Sequence, residues 1–167
     1  LIISVYDKNK NLIQVIPQKV GFRKIEIKGE VFTVNGVIIK LKGVNRHDYN
    51  PKNGRVVDKD EIEKDIILMK QHNINAIRTS HYPNSEYFYE LCNEYGMYVI
   101  DEADLECHGF ELTDNYSWIS DDKNWELAYV SRIERMIKRD KNHPCILMWS
   151  LGNKSSFGCN FKAMAKK

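Results

Sequence analysis

The sequence predicts an α/β protein in which a short antiparallel β region precedes a parallel sheet built from four strand-helix units. Two patterns predict this fold class. From about residue 40 onward, short apolar runs alternate with segments whose apolar residues recur at helical spacing. Before residue 28, only short strand-like runs and a polar turn occur. The four units belong either to a doubly wound sheet or to part of an eight-stranded barrel, and periodicity does not choose between them.

The composition is that of an ordinary globular protein of about one domain. Of the 167 residues, 43% are hydrophobic and 29% are charged, so there is no signature of disorder. The net charge is +2 and the basic residues are spread along the chain, so we expect no nucleic-acid partner. No apolar run approaches the roughly 20 residues of a membrane span. The 4 cysteines lack the paired spacing of a zinc site or a disulfide framework, which favours reduced thiols in the cytoplasm.

The first elements predict the end of a β-domain. Residues 1–6 and 12–16 are apolar runs around the polar segment 7–11, which is a hairpin pattern. Residues 21–27 alternate between apolar and charged side chains. These strands are too few for a sandwich of the usual seven strands. Because the chain also begins inside a strand, we expect it to be a piece of a longer protein.

The pattern then changes towards strand-helix alternation. Asn35-Gly36 is a strong hairpin signal, and the segment 40–45 is predicted to continue into a strand that ends at Gly43. Asp58 can cap a helix that runs to about His72. The apolar residues at helical spacing in this helix are Ile62, Ile66, Ile67 and Met69.

Three more units follow. Residues 76–79 form a strand, and Asn84 or Ser85 opens a helix that ends at Gly96. The remaining predicted elements are a strand over 97–100, a long loop over 101–122, a helix over 123–139, a buried strand over 145–150 and a helix from 160. The residues predicted to face inward from the third helix are Trp125, Leu127, Val130, Ile133 and Ile137.

Polar and titratable residues follow each of the four predicted strands. The clusters are Asn45-Arg46-His47-Asp48, Arg78-Thr79-Ser80-His81, Asp101-Glu102 with Glu106 and His108, and Asn153-Lys154. A single histidine at such a place is usually a capping or packing residue. The carboxyl ends of parallel strands meet on one face, however, so four coincident clusters favour a joint functional interpretation.

Two of these clusters have a specific pattern. Glu106 and His108 are two residues apart, so in an extended chain both side chains project to one side and could hold a divalent cation such as Mg²⁺. The alternative is a loop histidine hydrogen-bonded to a loop glutamate. Asn153 and Lys154 follow Gly152 at the end of a buried strand, where the alternative is an ordinary strand-to-helix turn.

Four ordered motifs carry a resemblance to a known family. They are Gly43-Val-Asn-Arg-His47, Arg78-Thr-Ser-His-Tyr-Pro83, Asp101-Glu-Ala-Asp-Leu-Glu-Cys-His-Gly109 and Trp149-Ser-Leu-Gly-Asn153. In order and spacing they resemble family 2 glycoside hydrolases, and β-galactosidases more than β-glucuronidases. The resemblance implies that residues 1–28 end an immunoglobulin-like β-sandwich and that residues 29–167 form the first half of a TIM (β/α)8 barrel.

The resemblance also implies residue roles. His47 and His81 would contact the galactosyl ring, Asn153 would meet the sugar 2-hydroxyl, and Arg78 would support the nucleophile carboxylate. The metal ligands it implies are Glu106 and His108 for an active-site Mg²⁺, and Na⁺ is possible in the full-length family enzyme. The implied substrate is a β-galactoside such as lactose, and the implied partners are the remainder of the barrel or a homo-oligomer.

This sequence departs from the family at the acid/base position. Retaining hydrolysis uses two carboxyl groups, of which one protonates the leaving oxygen and the other attacks the anomeric carbon. The resemblance implies glutamate after Asn153, where this chain has Lys154, and it places the nucleophile on a later strand. We therefore expect the chain alone to be inactive. The alternatives are a non-catalytic galactoside-binding or complementation fragment, and an unrelated parallel α/β domain.

Overall fold

A computed structural model describes all 167 residues and begins with two antiparallel sheets. The hairpin consists of β1 (Ile2–Tyr6) and β2 (Leu12–Pro17), which confirms the predicted turn between them. The second sheet contains β3 (Ile25–Lys28), β4 (Val31–Val34) and β5 (Val37–Ile38) in sequence order. Lys28 is paired with Val31, so this sheet continues across the boundary that the sequence places at residue 28.

The rest of the chain forms one parallel sheet with helices after its strands. The strands are β6 (Gly43–Arg46), β7 (Ala76–Thr79), β8 (Tyr98–Glu102) and β9 (Ile146–Ser150). The helices are α1 (Lys59–Gln71), α2 (Glu86–Tyr95), α3 (Glu126–Asp140) and α4 (Cys159–Ala165), with two 3-10 turns at His108–Leu112 and Lys123–Trp125. The strand order is sequential, β6-β7-β8-β9, without the reversal that marks a doubly wound sheet. This order is that of a barrel segment.

Local sequence signals fix the ends of the first two helices. Asp58 caps α1 in a reciprocal capping box with Glu61, which satisfies two backbone N–H groups that the helix leaves free. Ser85 caps α2, and Gly96 ends it in the left-handed conformation at φ 66°. The apolar faces of the two helices pack against the sheet, where Ile66, Ile77 and Phe88 are fully buried.

Three expectations from the sequence are corrected by the structure. The strand expected to end at Gly43 instead begins there. Trp125 and Leu127 do not face inward, because the first lies in a 3-10 turn at 45% exposure and the second is 79% exposed. Their places in the core are taken by Tyr129 and Met136. No helix is long and apolar enough to span a membrane.

Candidate active site

Glu102 is the centre of the polar cluster at the carboxyl ends of the parallel strands. Its side chain is completely buried, and it forms a two-pronged ion pair with Arg78, in which Nε donates at 2.7 Å and Nη2 at 3.0 Å. Arg78 lies on β7 and Glu102 ends β8, so the pairing of these two strands brings the groups together. A fork of this kind fixes both position and orientation of the guanidinium group.

Two further donors complete the surroundings of Glu102. The imidazole Nδ1 of His81 lies 2.6 Å from one carboxylate oxygen, and the hydroxyl of Ser150 donates to the other at 2.6 Å. A carboxylate accepts hydrogen bonds but cannot donate them, so Nδ1 of His81 carries the proton in this arrangement. The imidazole Nε2 is therefore the nitrogen of His81 that is free to meet a ligand.

Asn153 links the end of β9 to the same cluster. Its amide oxygen accepts from Arg78 Nη2 at 3.1 Å, and its amide nitrogen donates to Glu106 at 3.0 Å. A backbone bond from Asn153 N to Leu105 O at 2.9 Å and an isolated parallel bridge to Glu106 hold this turn in place. One of the two amide protons of Asn153 remains available for a ligand.

Gly152 makes the close approach of this turn possible. Its φ is 146°, and a Cβ atom on it would lie 2.6 Å from the carbonyl oxygen of Leu105. Only glycine adopts this conformation without strain and leaves room for that carbonyl. The predicted turn at Gly152 is thus the element that sets Asn153 against Arg78.

The two histidines predicted to contact the sugar lie side by side. The rings of His47 and His81 are 5.2 Å apart in an edge-to-face arrangement, and the hydroxyl of Tyr82 lies 3.5 Å from His47 Nδ1. β6 and β7 are adjacent, which explains why residues directly after each strand meet. The structure therefore brings His47, His81, Arg78 and Asn153 to one end of the sheet.

Lys154 follows Asn153 on the exposed side of the turn. Its φ is 33°, an uncommon left-handed conformation for a residue with a side chain. The neighbouring Ser155 accepts the backbone N–H of Cys107 and donates to the carbonyl of Asn153. The loop after β8 and the loop after β9 are joined by these bonds, so residue 154 has a fixed backbone beside the cluster.

The residues implied for Mg²⁺ do not fit a metal site as they are placed. Glu106 accepts from Asn153, whereas His108 is bonded through Nε2 to Glu111 at 2.8 Å, and its side chain is 49% exposed. No group of three or more His, Cys, Asp or Glu side chains is arranged to hold a metal ion. The cation Lys154 stands where the family resemblance implies a further carboxylate. His108 is thus a loop histidine hydrogen-bonded to a loop glutamate, which is the alternative given above, although its partner is Glu111 and not Glu106.

Sequence reasoning did not assign a role to Glu102, although it placed the residue in a strand-end cluster. The signal that could have found it was the Asp101-Glu102 pair at the end of a buried strand. Successive residues of a strand face opposite sides, so one carboxyl group of such a pair must point into the site and the other towards the helices. Desolvation of a glutamate at 0% exposure is tolerated here because four donor contacts surround it.

Comparison with known proteins identifies the family. A family model described as the TIM barrel domain of glycosyl hydrolases family 2 matches residues 25–167. The chain belongs to this family. The four strand-end clusters are accordingly part of a family 2 barrel, and the fold resembles that of solved relatives over most of the chain.

The similar proteins of known name are glycosidases. The chain is 46% identical to a β-galactosidase of Pectobacterium atrosepticum over 98% of its own length, and 47% identical to one of Halalkalibacterium halodurans over 95%. It spans only 15% and 16% of those two proteins. Among solved structures, Ruminococcus gnavus β-glucuronidase matches with a TM-score of 0.82 at 29% identity, covering 93% of this chain and 26% of that one. The β-D-glucuronidase of Dictyoglomus thermophilum matches with a TM-score of 0.80 at 28% identity, covering 89% and 26%.

Proposed function

We propose that the full-length protein containing this chain binds terminal β-D-galactosides such as lactose in the manner of a retaining family 2 glycosidase. The observation that carries the proposal is the cluster around the buried Glu102, in which Arg78 and His81 bind Glu102 and Asn153 binds Arg78. The higher identity to β-galactosidases than to the glucuronidases of known structure supports galactose as the sugar. We also place residues 1–28 at the end of an immunoglobulin-like sandwich and the protein in the cytoplasm, the latter supported by its free cysteines.

The geometry supports the following roles in binding. Nε2 of His81 and the ring of His47 contact the sugar hydroxyls, and the free amide proton of Asn153 donates to the 2-hydroxyl. Arg78 keeps one nitrogen, Nη1, with only a long 3.4 Å contact to Asn45, so it can donate to a carboxylate from a later strand. Arg78, His81 and Asn153 are held by hydrogen bonds within the cluster before the ligand arrives, which reduces the entropy lost on binding.

Lys154 decides which chemistry is possible once the sugar is bound. Retaining hydrolysis needs an acid that protonates the leaving oxygen and then, as a base, activates water. A charged lysine has three N–H donors and no acceptor, so it cannot carry out the second step. Loss of general acid-base catalysis typically costs about 10²- to 10⁴-fold in rate. We therefore propose that this chain alone has no useful turnover.

A second candidate function is favoured by the same residue. With Lys154 in place and the sugar-binding cluster intact, the protein would be a non-catalytic galactoside-binding protein, or a fragment that complements the remaining half of the barrel. The two candidates share the binding site and differ only in turnover.

The test compares the natural full-length protein with two variants. Lys154→Glu supplies the missing carboxyl group, whereas Lys154→Met removes the charge without adding an acid. Hydrolysis is measured with an aryl β-D-galactoside and an aryl β-D-glucuronide, and binding is measured as the rise in melting temperature with galactose. We expect galactose to stabilise all three proteins and only Lys154→Glu to gain turnover, on the galactoside.

Each result has a distinct meaning. Turnover by the natural protein equal to that of Lys154→Glu would refute the assignment of residue 154. Stabilisation by glucuronate but not galactose would overturn the choice of sugar. No stabilisation by either sugar would overturn the glycoside-binding proposal.

A further inference from the structure

Asp101 is a buried acid that the proposed function does not use. It precedes Glu102 on β8, and it is also 0% exposed, but it points away from the sugar site towards the helices. The hydroxyl of Tyr89 on α2 donates to its Oδ1 at 2.6 Å, while its Oδ2 is buried without any partner. A buried acceptor without a partner is costly and calls for an explanation.

Several other titratable groups lie near Asp101. Asp140 and Arg139 come from α3, Tyr89 from α2, and Cys145 precedes β9. Burial, together with the negative charge of Asp140, raises the pKa of Asp101 to about 7. Arg139 binds Asp140 with both nitrogens of its fork, at 2.6 Å and 2.7 Å, and so it is not free to neutralise Asp101.

Thr79 connects Asp101 to the sugar site. Its Oγ1 accepts the backbone N–H of Glu102 at 2.9 Å and donates its own proton to Asp101 Oδ1 at 3.3 Å. A hydroxyl has one proton, so the acceptor it finds decides which way its lone pairs point. Asp101 turns the Thr79 lone pairs towards the Glu102 N–H, and that N–H belongs to the residue on which Arg78 and His81 depend.

We propose that Asp101 is a positioning residue of the candidate site, which acts through the hydroxyl of Thr79 to fix the backbone of Glu102. The proposal rests on the proposed function for its effect on sugar binding, but the path Asp101–Thr79–Glu102 itself does not. It explains why a strand end places two carboxyl groups side by side. The carboxyl group of Glu102 binds the proposed sugar-binding residues, and the carboxyl group of Asp101 fixes the strand that carries Glu102.

The test uses two readouts on the full-length protein. The first is hydrogen exchange by mass spectrometry of a peptide that contains Glu102, and the second is the affinity for galactose. Thr79→Val removes the hydroxyl and should speed exchange of the peptide by tenfold or more, because a buried N–H loses its partner. Thr79→Ser keeps the hydroxyl and should restore slow exchange. Both variants keep a side chain at the site of Thr79, so a difference between them reports on the hydroxyl.

Substitution of Asp101 tests the direction of the path. Asp101→Asn keeps an oxygen for Thr79 and should retain slow exchange, whereas Asp101→Ala should speed it. In a Thr79→Val background, Asp101→Ala should add no further exchange at Glu102, because the path is already broken. Additive effects of Thr79→Val and Asp101→Ala on exchange would overturn the proposal. Equal exchange rates in Thr79→Ser and Thr79→Val would also overturn it. The comparison of these two Thr79 variants remains decisive even if Asp101→Ala does not fold.

The two readouts separate this inference from the proposed function. If galactose binds to none of the proteins, the proposed function fails. The exchange data still test the hydrogen-bonded path Asp101–Thr79–Glu102. If the natural protein binds galactose, affinity should fall in parallel with the exchange changes, at least tenfold in Thr79→Val and less than twofold in Thr79→Ser. Unchanged affinity in Thr79→Val would refute positioning of the site.

Discussion

Replacement of Glu102 by glutamine is the sharpest perturbation of the candidate site. The substitution keeps the volume of the side chain but turns one acceptor oxygen into an N–H₂ donor. Each carboxylate oxygen of Glu102 now accepts two hydrogen bonds. Oε2 accepts from Arg78 and Ser150, and Oε1 accepts from Arg78 and His81. In both orientations of the amide, one Arg78 N–H would therefore face a donor, whereas the Ser150 hydroxyl can rotate and the His81 imidazole can change tautomer so as to accept.

The size of the effect depends on burial. Removing one partner of a buried ion pair typically costs about 3–5 kcal/mol, because the remaining charge is left uncompensated. Arg78 keeps 29% of its side chain exposed and can regain some water, so we place the cost at the low end, about 3 kcal/mol. At 1.36 kcal/mol per factor of ten, this corresponds to roughly a hundredfold larger local opening constant.

The assay is hydrogen exchange of the β7 and β8 peptides in the full-length protein, since local opening is defined even where global unfolding is not two-state. The matched control is Glu134→Gln, which removes an exposed ion pair with Lys167 and should change exchange less than threefold. If Glu102→Gln behaves like this control, then Glu102 does not hold the cluster together, and the role assigned to it is wrong.

Three other predictions concern the same end of the sheet. In Lys154→Glu, addition of Mg²⁺ should raise the melting temperature measured by calorimetry. The natural protein should show no such rise, because the cation at residue 154 opposes a metal beside Glu106. A rise in both proteins would contradict this prediction. Gly152→Ala should lower the affinity for galactose at least tenfold, because the new Cβ atom would lie 2.6 Å from the carbonyl oxygen of Leu105. The affinity is measured by titration calorimetry, and an affinity equal to that of the natural protein would contradict the role of this turn. Asp101 binds a proton in the folded state, with a pKa of about 7, that the unfolded chain releases above about pH 4. Its contribution to stability should therefore fall as the pH rises from 4 to 7, by at most about 4 kcal/mol, and Asp101→Asn should melt above the natural protein by a margin that grows over this range. A margin that does not change with pH would contradict this assignment.

Helix ends and strands were predictable where a local signal decides them. Asp58 and Ser85 cap the starts of α1 and α2, and Gly96 ends α2, because a capping oxygen or a left-handed glycine satisfies backbone groups within the same turn. The strand at Ala76–Thr79 lies where the apolar run predicts it. The sequential order of the strands, in contrast, depends on contacts between distant segments, and periodicity left it open.

The errors also have a physical reason. Leu127 and Trp125 are apolar, and a helix drawn from residue 123 points both inward. Trp125 lies in the 3-10 turn before the α-helix, which begins at Glu126, and the buried face of α3 is centred on Tyr129, Ile133 and Met136. Leu127 lies at the edge of α3, in a groove that it lines with Ala163 of α4.

In the proposed function, sugar positioning and proton transfer depend on different residues of this chain. In the proposed function, positioning depends on the buried Glu102 of β8 and on its bonds to Arg78 of β7 and Ser150 of β9, neither of which involves residue 154. The proposed proton transfer depends on residue 154, which is exposed in the turn after Asn153. A lysine there leaves the buried network intact because its own backbone is held by bonds of its neighbours, not of its side chain. We therefore expect a substitution at residue 154 to change turnover without altering the buried network around Glu102.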